Sequence, residues 1–77
     1  MAYYDELANK LAQDVLEAQI ALDDDNLIQE IAAVLEANSS TMHEAFMTAV
    51  RVYASHDRAR ALLDTKYKTA GKPAPSA

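Results

Sequence analysis

A chain of 77 residues and 8.4 kDa holds at most one domain. It is 51% hydrophobic and 25% charged, with net charge −5 and no Cys, which excludes a disulfide framework, thiolate-bound zinc, iron–sulfur clusters and cysteine catalysis. No apolar run approaches the ~18 residues of a membrane-spanning helix.

The opening Met1-Ala2-Tyr3-Tyr4-Asp5-Glu6 is acidic and lacks the apolar core of a signal peptide, so the expected location is cytoplasmic and off the membrane. Of the hydrophobic residues, 16 are Ala, and Leu, Ile, Val and Phe together also number 16, so the core is small. A core of that size leaves about 3–5 kcal/mol of net stability without a staple. Good helix packing, self-association or a partner must supply any more. Charge is polarised: residues 1–44 carry ten acids and one base, whereas residues 45–77 carry six bases and two acids. Either the halves attract each other within the fold, or one end is a surface for a charged partner.

No Gly or Pro occurs before residue 71. With Ala, Leu, Glu, Lys and Gln abundant, this predicts helix nearly throughout. The first helix spans about Tyr3 to Leu22. Tyr4, Ala8, Leu11, Val15, Ala18 and Leu22 recur at heptad spacing, and Leu7, Ala12, Leu16 and Ile20 widen the stripe. Asp5 and Glu6 suit the positive end of the helix dipole, and Glu6 with Lys10 forms an i,i+4 pair.

The stripe fails at Asp23-Asp24-Asp25-Asn26, whose side chains are helix caps. Asn26 with Gln29 reads as a capping box. A second helix then starts between Asp24 and Asn26 and ends near Ala37, burying Leu27, Ile28, Ile31, Val34 and Leu35. The alternative is one long kinked helix over residues 3–37. Asn38-Ser39-Ser40 is a break, and Thr41 with Glu44 is a second capping box that opens a third helix. This helix runs to Tyr67 or Lys68. Its expected stripe is Met42, Ala45, Ala49, Val52, His56, Ala59 and Leu63, flanked by Phe46, Tyr53 and Tyr67. Asp64 pairs with Lys68, and Lys66 and Lys68 complement the dipole. Gly71 is the helix stop. Residues 69–77, small, polar and Pro-containing, read as a flexible tail after a helical domain of residues 1–68.

The fold expected is therefore all-α: a small three-helix bundle or, if the first two segments merge, an αα-hairpin of two long helices. The second helix is too short to cover the third. The far end of the third helix, at Leu62, Leu63 and Tyr67, should stand partly bare, and exposed apolar residues there point to a partner or a dimer.

No arrangement of residues calls for catalysis, a metal or a cofactor. His43 and His56 lie about 220° apart on one helix, so they cannot share a metal. His56 sits on the apolar stripe and reads as a core or boundary residue, and His43 reads as solvated. A calcium loop starting at Asp23 would put Ile28 where Gly is required and Val34 where Glu is required. Ser39 and Ser40 lack the glycines of a nucleophile elbow, and there is no Gly-rich phosphate loop.

The expected function is a non-catalytic helical interaction module of adaptor, small-chaperone or inhibitor type. It would bind another protein or a second copy of itself through Leu62, Leu63 and Tyr67, with Arg58, Arg60 and Lys66 at the rim. The alternative is a small regulator at nucleic acid, acting through the basic end of the third helix or as an acidic mimic. The second and third helices also mimic the outline of a helix-turn-helix, although the third has no base before Arg51.

Overall fold

A computed structural model describes residues 3–73. Three helices follow one another: α1 (Tyr3–Ala21), α2 (Leu27–Asn38) and α3 (Ser40–Thr69). Among the described residues there is no strand, so the all-α bundle is the fold, and the single long helix over residues 3–37 is not formed.

The break between α1 and α2 has a clear cause. Asp23 adopts φ +51°. Its N–H donates to the Ile20 carbonyl at 3.3 Å, and the Asp24 N–H donates to the Gln19 carbonyl at 3.1 Å. This is the Schellman pattern, with an aspartate in the left-handed position that usually belongs to glycine. The corner tightens where the Asp24 carboxylate accepts from the Asn26 N–H at 3.1 Å. Asn26 itself makes no side-chain cap, so the Asn26–Gln29 box is not formed.

The α2–α3 junction is a single residue. Ser39 is extended (φ −160°, ψ 107°) and serves both helices. Its N–H donates to the Leu35 carbonyl at 2.6 Å, and its Oγ accepts from the Met42 N–H at 3.2 Å. The cap is therefore Ser39 rather than Thr41. A one-residue junction also removes the three- to four-residue turn of a helix-turn-helix. At the far end, Gly71 (φ +73°) closes a second Schellman pattern: its N–H reaches the Lys68 carbonyl at 3.1 Å, and the Lys72 N–H reaches the Tyr67 carbonyl at 3.0 Å. The helix thus runs through Thr69, just past the expected limit. Of the expected tail, residues 74–77 lie outside the described residues.

The core is Ala8, Ala12 and Val15 of α1, Ala32 of α2, and Phe46, Ala49 and Val50 of α3. Four of these seven are Ala, and Phe46 is the largest fully buried side chain. Leu11, Leu27, Ile28, Ile31, Leu35, Met42 and Tyr53 pack around it, half-buried. Small residues on α1 bring its backbone close to α3, and this is the main helix–helix contact. Gln13 Nε2 donates to the Tyr53 hydroxyl at 2.6 Å across that contact.

Four details differ from the sequence reading. Leu7, Ile20 and Leu22 of the α1 stripe, and Val34 of α2, are exposed. The buried side of α3 is Phe46, Ala49, Val50 and Tyr53; Val52 and His56 face water. Lys10 pairs with Asp14 at 2.9 Å rather than with Glu6, and that hydrogen bond and charge hold its pKa above the ordinary 10.5. Asp64 lies 3.7 Å from Arg60 rather than pairing with Lys68.

Candidate functional site

Helix lengths decide what is left bare. At 1.5 Å per residue, α3 is about 45 Å long and α1 about 28 Å. The two run parallel: Tyr4, Asp5 and Asn9 flank Thr41–Val52, Gln13 meets Tyr53, and Glu17 and Ile20 lie near Asp57. α1 therefore ends beside the residues around 57–60 of α3, and the last turns of α3 extend beyond it. The radius of gyration, 15.3 Å, reflects this elongation, since a compact chain of this length would have about 11–12 Å.

From Ala61 to Lys72 all described residues are exposed except the half-buried Tyr67. Leu62 is 60% and Leu63 41% exposed. Arg58 and Lys66 are exposed, and Arg60 is partly covered beside Asp64. The six residues expected at a partner surface thus all lie on the outermost part of α3. Arg58 points to the opposite side from Leu63, about 140° away around the helix. Lys68 and Lys72 add to the same basic end. Among the described residues no carboxylate forms an ion pair with Lys66, Lys68 or Lys72, and Lys68, like Arg58, lies about 140° around the helix from Leu63.

A second feature could not be read from one helix alone. An open groove runs between α1 and α3, and no residue of α2 lines it. Its floor on α3 is Ala45, Ala49 and Val52. Four carboxylates border it, from Asp5, Glu44, Glu17 and Asp57, against one guanidinium, from Arg51. The Gln13–Tyr53 bond bridges it near the middle.

The floor residues belong to the heptad stripe expected to form the core of α3. That stripe, from Ala45 to Leu63, is rotated about 90° from the face that holds Phe46, Val50 and Tyr53. It passes along the groove and emerges on the outer end as Ala59 and Leu63. His56 lies on it, exposed, its Nδ1 3.2 Å from the Asp57 carboxylate. His43 is half-buried instead, with Nε2 4.0 Å from Glu36. Among the described residues no group of three or more His, Asp or Glu is placed to hold a metal ion. Among the described residues no helix is long and apolar enough to cross a membrane.

Comparison with protein families, with curated proteins and with solved structures finds no match to this chain.

Proposed function

We propose that the chain is a non-catalytic helical interaction module whose binding surface is the outer end of α3. The observation that carries this is the exposure of Leu62 and Leu63 on turns that no other helix covers. Leucines left in water on a rigid helix forgo about 1.5–3 kcal/mol each that burial would supply. Their basic rim, with Arg60 and Lys66 about 60° to either side of Leu63, would orient and speed the encounter with an acidic surface. Another protein or a second copy of the chain fits this chemistry.

The test is a photoreactive residue in place of Leu63 in cells making the protein, with the same residue at exposed Gln29 as control. A protein adduct at position 63 and none at position 29 is expected. Equal or absent labelling at the two positions refutes the proposal.

The exposed Lys66, Lys68 and Lys72 favour a second reading, contact with nucleic-acid phosphates. That binding would weaken steeply between about 0.05 and 0.2 M salt, by ~0.9 log unit per phosphate per log unit of salt, and Leu63→Asp would alter it only modestly. Apolar association would survive the salt and be lost in that variant.

A further inference from the structure

Resting on the interaction reading above, we infer that the partner is a second copy of this chain, bound antiparallel. The outer end of each α3 lies in the α1–α3 groove of the other copy.

Three observations meet here. The first is continuity. Ala45, Ala49 and Val52 on the groove floor and Ala59 and Leu63 on the outer end form one stripe at heptad spacing, the pattern by which one helix seats along another. The core of the single chain faces mainly the adjoining side of α3, at Phe46, Val50 and Tyr53, and takes Ala45 and Ala49 from this stripe. Because groove and outer end sit on the same stripe at opposite ends, an antiparallel copy brings each against the other twice. That is the self-complementary arrangement of a two-fold dimer.

The second is charge. The groove is bordered by four carboxylates and one guanidinium, whereas on the outer end Arg60 and Lys66 flank Leu63, each about 60° around the helix from it. Within one chain they cannot meet, since the outer end of α3 points away from its own groove.

The third is fit. The outer helical stretch, Ala61 to Thr69, is about 13 Å long, and the groove from Thr41 to Asp57 is about 25 Å long. The same docking covers Val52, 59% exposed in the single chain.

A charge swap tests this. One variant reverses the outer end (Arg60→Glu with Lys66→Glu), and the other reverses the groove (Asp5→Lys with Glu44→Lys). Sedimentation equilibrium on each, after circular dichroism has shown unchanged helicity, should give dissociation constants at least tenfold above the parent's. Mixing the two restores both matched contacts, so a heterodimer near parental affinity is expected.

A monomeric parent at all concentrations, variants that dimerise like the parent, or a mixture without rescue each overturn the inference. The photo-adduct at position 63 separates this from failure of the broader reading. An adduct of two copies of the chain supports the inference. An adduct with a different protein overturns it and leaves the interaction reading standing. No adduct ends both.

Discussion

Phe46→Ala should remove most of the stability of this fold. Phe46 is fully buried and is the largest side chain so placed, in a core whose other members are four Ala and two Val. A buried aromatic withdraws at least about 150 Å² from water, which at ~25 cal/mol per Å² is about 4 kcal/mol. Measured Phe→Ala losses of about 3–5 kcal/mol agree with that size. The whole domain has about 3–5 kcal/mol to lose. The variant should therefore be half unfolded or worse in buffer, with a broad, early urea transition. Helix circular dichroism at 222 nm against urea reads this directly. It should be run at several protein concentrations, because self-association would add to the apparent stability. A cooperative transition within about 1 kcal/mol of the parent would refute the placement of the core. Burial of Phe46 could not then be what joins α3 to α1 and α2.

The remaining expectations concern helix ends. Ser39→Ala removes the acceptor of the Met42 N–H and should cost about 1 kcal/mol in urea unfolding, whereas Thr41→Ala should change little. Asp23→Gly relieves a left-handed aspartate and should raise stability by about 0.5–1 kcal/mol; a loss would contradict the Schellman corner. Gly71→Ala strains a cap at φ +73° on turns that nothing covers. It should speed amide exchange at the end of α3 and leave the urea midpoint of the whole chain unchanged.

The helices were legible because their punctuation is unambiguous. Seventy residues without Gly or Pro exclude most alternatives, and the Asp23–Asn26 and Asn38–Ser40 clusters mark the two breaks. Gly71 was legible for the same reason, as a residue tolerant of positive φ just past the last periodic turn. The rotation of α3 was not. Ala45, Ala49, Val52, His56, Ala59 and Leu63 make a longer and more regular stripe than Phe46, Val50 and Tyr53. Regularity, however, counts for less than volume: Phe46 is the one side chain large enough to fill the space among three alanine-lined helices. The single Phe of the chain, with Val50 and Tyr53 at i+4 and i+7, was the available signal.

Val34 and Ile20 were misplaced for a related reason. α2 is only 12 residues long and packs one narrow face, and α1 loses cover as it reaches the corner. The bare end of α3 followed from segment lengths alone. The groove did not, because it needs the parallel alignment of α1 with α3, a long-range fact that no local pattern carries. Caps misread by two residues, Thr41 for Ser39, reflect competition among adjacent Ser and Thr residues that only the backbone geometry settles.

The most direct test of the account is the solution mass of the full chain beside Leu63→Asp, by sedimentation equilibrium at 0.1 and 0.5 M salt. Position 63 is covered by no other helix in the single chain, so the substitution should spare the fold, which urea unfolding can verify. The account predicts a parent of twice the 8.4 kDa chain mass that weakens but persists at the higher salt, and a monomeric variant that matches the parent's stability at concentrations low enough for the parent to be monomeric as well. A parent that stays monomeric, or a variant that dimerises as well as the parent, would contradict it.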